Sequence, residues 1–178
     1  MKLAFIDTET TGLDYSTSAV LEFAAIIVEN GVLLEQYETK IKPTSVELFY
    51  ALPKALEING YTPKAWFDAP PMREVGPKII ALLDGSILVG HNVSFDEVML
   101  TSNLKLHGVE GRIPYQKIDT QTLVMEHLWP LGLKRASLDS VRDFLGWSKV
   151  GAHTAMGDAR DAKRLFDLLW RKPPQREI

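Results

Sequence analysis

Close to its start the chain leaves an apolar run, Leu3 to Ile6, and enters Asp7-Thr8-Glu9-Thr10-Thr11-Gly12. Residues i and i+2 of a strand face the same way, so Asp7 and Glu9 would project together from the strand's end. Two carboxylates so close repel, and apolar neighbours add a desolvation cost unless a cation neutralises them. Oxygen ligands suit Mg²⁺ or Mn²⁺, and two such ions about 3.5 to 4 Å apart form a clamp for in-line phosphodiester cleavage. The plainer account is a strand-end turn acid with a solvated neighbour, and Asp-x-Glu alone leaves both accounts open.

Two further stretches carry the same kind of chemistry. His91-Asn92-Val93-Ser94-Phe95-Asp96 puts an acid just past the apolar strand Ile87 to Val89, at a helix start, where open α/β sheets bind ligands. Taken in isolation, Asp96 is better explained as a first-turn acid favoured by the helix dipole. His153-Thr154-Ala155-Met156-Gly157-Asp158 supplies a histidine followed five residues later by an acid on the first turns of the last helix. Each signal is weak by itself.

The elements that must position these residues alternate between strand and helix, the pattern of an α/β domain. Lys2 to Glu9 reads as a strand, and residues 20–43 as two more joined at Asn30-Gly31, a dipeptide suited to a tight hairpin. Pro53 to about Gly60 and Met72 to Leu83 have helical character, with a proline-interrupted loop between them. Ser94 and Glu97 have the spacing of a capping box for the next helix, whose apolar face would hold Val98, Leu104 and Leu106 or close neighbours of these. The segment from Lys117 begins as a strand and turns helical. Leu133 to Trp147 and Ala155 to Arg171 are expected as the last two helices, the latter burying Leu165, Leu168 and Leu169.

Composition bounds the function. The 178 residues, 46% hydrophobic, suffice for one domain with a full core, and one domain over 1–178 is expected. With no cysteine, disulfides, thiolate metal sites and a cysteine nucleophile are excluded. No stretch is long and apolar enough to cross a bilayer, and Asp7 and Glu9 interrupt the N-terminal run where a signal peptide would stay apolar, so a cytoplasmic protein without a membrane partner is expected. A formal net charge of −3 argues against coating nucleic acid by bulk charge, but not against gripping a few phosphates locally.

Taken together, DTETTG, H-N-x-x-F-D and H-x-A-x-x-D, in this order and spacing, resemble the three exonuclease motifs of the DEDD superfamily in the branch that uses a histidine. The likeness spans roughly residues 1 to 170 and is strongest to the proofreading exonucleases of bacterial replicative polymerases. It implies a ribonuclease H-like fold, a mixed five-stranded sheet with the first three strands antiparallel and helices flanking it. It also implies a two-metal 3′-to-5′ exonuclease that acts on single-stranded DNA or DNA 3′ ends, releases nucleoside 5′-monophosphates and uses Mg²⁺ or Mn²⁺. Asp7, Glu9, Asp96 and Asp158 match the four acidic metal-ligand positions, with Asp7 bridging both ions, and His153 matches the general base. The same catalytic set serves exoribonucleases, so RNA stands as the alternative substrate; a noncatalytic module holding 3′ ends or a polymerase is a third reading. A polymerase is the protein partner the likeness offers, although the extra C-terminal segment by which such subunits bind it is not found after the last helix.

Around this set the resemblance marks Thr10, Thr11 and Gly12 as the turn lying against the 3′-terminal nucleotide, and Asn92 and Phe95 as positions flanking the third acid. Phe95 has a core reading too, and His91 either meets a phosphate or bonds backbone. Asn59 stands where the family segment often carries a histidine, which puts base contact by that loop in question. Trp66 and Phe67 would stack on a base or anchor their loop. Glu22 is either a group near the metals or an edge-exposed side chain. Asp161, with Arg160 and Arg164, reads as a solvated helix face, and Lys163, Arg164, Arg171 and Lys172 as cations at a helix C-terminus. His107 and His127 carry no partner pattern.

Overall fold

Strict alternation along the first strand organises the molecule. In the computed structural model, which describes residues 1–170, β1 (Lys2–Thr10) sends Leu3 and Phe5 to one face of the sheet and Ala4 and Ile6 to the other, and all four are buried. A strand buried on both faces must lie inside a layered sheet. β1 pairs antiparallel with β2 (Val20–Glu29), which turns at Asn30-Gly31, both with positive φ, into antiparallel β3 (Val32–Lys40). On its other side β1 runs parallel to β4 (Ile87–Gly90), itself parallel to β5 (Lys117–Asp119), giving the order β3-β2-β1-β4-β5. The expected mixed sheet with three antiparallel leading strands is what forms.

After β3 come α1 (Ser45–Phe49), α2 (Pro53–Ile58) and α3 (Met72–Leu83). The first of these is absent from the sequence reading, although Thr44 and Glu47 close a capping box at its start. α4 (Val93–Leu106) follows β4; α5 (Thr120–Leu128), α6 (Leu138–Leu145) and α7 (Ala155–Leu169) complete the described chain. α3 and α4 cover the Ala4 and Ile6 face with Ile79, Leu83, Leu100 and Leu104, while α7 covers the Leu3 and Phe5 face with Ala155, Ala159 and Phe166. A third cluster of Val124, Val141 and Leu165 joins α5, α6 and α7.

Several expected details are corrected. The cap of α4 is Asn92, in the left-handed region at φ 69, so Ser94 lies inside the helix and Glu97 pairs with Lys117 on β5. Its buried side holds Met99, Leu100 and Leu104, whereas Val98 and Leu106 face solvent. The helix expected from Leu133 begins only at Leu138, because Gly132 at φ 103 ends the preceding turn and Ala136 presents its carbonyl to His91. In α7 the stripe is Ala155, Ala159, Ala162, Leu165 and Phe166, with Leu168 59% exposed. Arg171 and Lys172 lie outside the described residues. No helix among those described is long and apolar enough to cross a membrane.

One buried polar residue fixes the loop that follows β1. Asn103 of α4 accepts from Val20 N–H at 2.9 Å and donates to Ser18 and Met99 carbonyls at 3.1 and 3.0 Å. Asn103→Ala strands the buried Val20 and Ser18 groups and is expected to lower stability by about 2 to 3 kcal/mol in urea unfolding, with an unchanged m-value. A loss below about 0.5 kcal/mol would show that the loop does not depend on this side chain.

Candidate active site

The face of β1 that carries Leu3 and Phe5 continues with Asp7 and Glu9, so the strand that packs on α7 through apolar groups ends by aiming two carboxylates at that helix's first turns. Asp158 stands there. Oxygens of Asp7, Glu9 and Asp158 come within 4.8 Å of one another. Asp96 arrives from the opposite layer: its Oδ1 accepts from Thr8 N–H at 2.9 Å and Thr8 Oγ1 at 2.7 Å, at the first turn of α4.

This crowding suppresses ionisation. Burial first, then the charges of Asp96, Asp158 and Glu9, holds Asp7 well above the usual carboxylate range. Burial, with Asp158, Glu22 and Asp96, pushes Glu9 to about 8. Burial raises Asp96 to about 7 even against the Thr8 hydrogen bonds. Asp158 is raised by burial, opposed by Arg142. Glu22 faces Glu9 across the β1–β2 register, is buried, and is raised by desolvation while accepting from the Ala155 amide. It is therefore a group beside the carboxylates, the first of its two readings. A hard divalent cation fits this donor set: the oxygens converge, sulfur is absent, and positive charge would relieve the repulsion.

His153 sits in the loop before α7 at φ 60. Its backbone N–H donates to Asp158 Oδ1 at 3.2 Å, and its Nε2 lies 3.4 Å from Asp139 Oδ2. Thr154 caps α7 by accepting from Gly157 N–H, and a Cβ on Gly157 would fall 1.9 Å from the Gly151 carbonyl oxygen, so the loop closes on the helix only with glycine there.

Beside Glu9 opens a cleft of about 340 Å³ walled by Thr10, Gly12, Leu13, Leu52, Ile58 and Phe95. Asn59 donates to the Thr10 carbonyl at 2.8 Å, joining the far wall to β1. Gly12 has no room for a Cβ, which would meet Ser18 Oγ at 2.8 Å. Thr11 stays out of the cleft: it is buried, its hydroxyl accepting from Ala19 N–H and its carbonyl from Leu52 N–H. A larger groove, about 630 Å³, lies at the far end of α4 by Lys105, Glu110 and Arg112 and holds none of the candidate residues.

The remaining candidates divide. His91 is a structural residue rather than a phosphate contact: Nε2 donates to the Ala136 carbonyl at 2.5 Å and Nδ1 meets Thr120 Oγ1 at 3.1 Å, with burial lowering its pKa. Asn92 is exposed, its amide bonded to Asp119. Trp66 anchors its loop, buried and donating to the Leu21 carbonyl, while Phe67 is exposed. Asp161 is not on a solvated face but pairs with Arg142 at 2.7 Å; Lys163 pairs with Asp167, and Arg164 stacks on Trp147. His107 and His127 each approach a glutamate, Glu47 and Glu126.

The sequence reading missed Arg142 and Thr8. Arg142 was legible in principle, since Leu138, Val141, Arg142 and Leu145 follow the i, i+3, i+4, i+7 spacing of an inward helix face and a charge there demands partners.

Residues 4–166 match the RNase_T family of exonucleases. The chain is 35% identical over 162 residues to the PolC-type DNA polymerase III of Thermotoga maritima, an alignment that takes in 90% of this chain and 11% of that protein. It is 30% identical over 173 residues to the DNA polymerase III subunit epsilon of Aquifex aeolicus, covering 94% of this chain and 81% of that one. Among solved structures, E. coli exonuclease I in complex with a dT13 oligonucleotide has a TM-score of 0.78 at 20% identity, over 94% of this chain and 40% of that chain. Exonuclease I from Methylocaldum szegediense has a TM-score of 0.77 at 21% identity, over 98% and 41%. These last two likenesses carry the fold, the expected ribonuclease H-like arrangement.

The suppressed acids make stability depend on pH. Glu9 and Asp96, with ordinary values of 4.5 and 3.8, ionise in the folded chain only near 8 and 7, so the unfolded chain releases these protons first. Their contribution is full below about pH 4 and is lost as pH rises toward 8. The metal-free melting temperature should therefore fall from pH 5 to pH 8, Mn²⁺ should raise it more at pH 8 than at pH 5, and Glu9→Gln should diminish both effects. A Mn²⁺ increment independent of pH would contradict this account.

Proposed function

The chain belongs to the RNase_T family of exonucleases, and we propose that it is a divalent-metal-dependent 3′-to-5′ exonuclease that shortens DNA from single-stranded or frayed 3′ ends and releases nucleoside 5′-monophosphates. The observation that carries this reading is the convergence of Asp7, Glu9 and Asp158 at one end of β1, with Asp96 delivered from the other layer and an apolar cleft opening beside Glu9.

In this reading the four acids would hold Mg²⁺ or Mn²⁺, two ions per site, which would supply positive charge to the phosphate oxygens and make water more acidic. The cleft takes the terminal nucleotide: Leu13, Leu52 and Phe95 offer apolar surface to base and sugar, and Thr10 and Gly12 line it beside Glu9. His153 removes a proton from the attacking water, for which an imidazole near neutral pH is suited. Attack at phosphorus breaks the bond to the 3′ oxygen of the preceding nucleotide, so the phosphate leaves on the 5′ carbon of the terminal one. Asn92, exposed at the N-terminus of α4 that carries Asp96, would contact the strand in this reading. A polymerase partner is supported by the relatives' names, and the chain spans 11% of the length of the PolC-type relatives, so it corresponds there to one part of a longer protein.

The test is a time course on 5′-labelled single-stranded DNA and the matching RNA, in Mg²⁺ and in EDTA. A metal-dependent ladder shortening from the 3′ end of DNA is expected. His153→Ala should lower turnover by about 10² to 10⁴ while keeping Mn²⁺ binding, and Asp7→Ala should lose both. Turnover equal to wild type in both variants would overturn the site assignment, and preference for RNA would overturn the substrate.

A further inference from the structure

The catalytic reading assigns roles to His153 and Asp158 but leaves the arginine beside them without one. Arg142 is 1% exposed and heads the fully buried side chains by size. All three guanidinium nitrogens meet carboxylates: Nε donates to Asp161 Oδ2 at 2.7 Å, Nη1 to Asp139 Oδ1 at 3.0 Å and Nη2 to Asp158 Oδ1 at 2.6 Å. The second oxygen of Asp139 stands 3.4 Å from His153 Nε2, and the His153 amide returns to Asp158 Oδ1 at 3.2 Å. Asp158, Arg142, Asp139 and His153 thus form a closed ring, with Asp161, one turn along α7, gripping the guanidinium from outside.

Charge balance does not account for this arrangement. One cation against three acids leaves the group negative. What the ring supplies is direction. A guanidinium is planar with its donors at fixed angles, so three simultaneous bonds leave it one orientation, and whatever it holds is held in register. Both hydrogen bonds to Asp158 fall on Oδ1, which leaves Oδ2 without one among the described residues. His153 occupies a left-handed backbone conformation unfavourable for a side chain with a Cβ, so its N–H bond to a fixed Asp158 helps retain it. The Asp139–His153 contact is about half exposed on both sides, so its value lies in orientation more than in energy.

We propose that Arg142 and Asp139 are positioning residues: Arg142 fixes Asp158 by one oxygen so that the other is presented to a metal ion, and Asp139 sets the imidazole of His153. This rests on the exonuclease reading for its purpose but not for its geometry. The two carboxylates and the guanidinium touch no substrate; they act through Asp158 and His153.

The test compares Mn²⁺ affinity of the full chain, titrated without substrate, with kcat and KM on single-stranded DNA and with the His153 ring resonances of the metal-free chain. Arg142→Ala should weaken Mn²⁺ binding about tenfold or more, although loss of a positive charge alone would strengthen it. Arg142→Lys, which keeps the charge and loses the fork, should not restore it. Asp139→Ala, which also removes one of the three guanidinium bonds, should weaken Mn²⁺ binding no more than Asp161→Asn does, leave KM unchanged, lower kcat about tenfold, and shift the His153 ring signals while those of His91 stay. Asp161→Asn touches neither Asp158 nor His153, should give part of the Arg142→Ala loss, and decides the matter if the arginine variants do not fold by circular dichroism. Folded Arg142 variants, or Asp161→Asn in their place, binding Mn²⁺ as tightly as wild type would overturn the Arg142 role; unmoved His153 signals in Asp139→Ala would overturn the Asp139 role. A wild-type chain without nuclease activity whose variants keep this order of affinities would remove the exonuclease reading and leave the positioning roles standing.

Discussion

Buried carboxylates crowded at the end of one strand are the constraint to which the rest of this structure answers. Asp96 and Asp158 lie close enough to Asp7 and Glu9 to raise their proton affinity beyond the effect of burial, and Glu22 adds a further acid opposite Glu9. A chain gains nothing in stability from such a group; it tolerates it by pairing, by hydrogen bonds and by partial protonation. Thr8 donates twice to Asp96, the His153 and Ala155 amides donate to Asp158 and Glu22, and Arg142 is the buried cation at the site. Each of these partners comes from a different element, which is why the site exists only when the sheet and both helical layers are assembled.

The architecture is economical in how it brings the acids together. One strand, β1, sends its odd-numbered residues to α7 and its even-numbered residues to α4. Leu3 and Phe5 therefore fix the distance to the helix that carries Asp158, and Ala4 and Ile6 fix the distance to the helix that carries Asp96. The same alternation then places Asp7 and Glu9 against α7 and Thr8 against Asp96. A slip of one residue in the β1–β2 register would turn both carboxylates to the wrong layer. Apolar packing and chemistry are thus two stretches of a single periodic pattern.

Residues that look alike in type serve different ends here. His91 and His153 both stand next to candidate acids, yet His91 is tied at both ring nitrogens and ties the extended segment before α6 to the sheet, while His153 is half exposed. Asp158 and Asp161 share one cation, but only Asp158 also reaches the Asp7 and Glu9 oxygens. Thr10 lines the cleft, and its neighbour Thr11 is consumed in closing the loop from β1 to β2. Position relative to the end of β1, more than residue type, separates the two members of each pair.

The sequence by itself determined the α/β class, the five strands, the Asn30-Gly31 hairpin, the α3 span and the five residues that match the exonuclease motifs. These follow from local rules: period-two alternation, turn dipeptides, and short motifs whose side chains share a face. It did not yield the left-handed Asn92 cap, the late start of α6, the outward turn of Leu168 or the buried role of Asp161. In three of these a distant partner decides: Asp119 holds the Asn92 amide, His91 draws out the Ala136 carbonyl, and Arg142 takes Asp161 from the solvent it would otherwise face. Arg142 shows the division most clearly. Its spacing on α6 marks it as inward, and Asp139 is a local partner three residues before it, but its bonds to Asp158 and Asp161 depend on how α6 and α7 pack, and packing joins residues that local rules treat as unrelated.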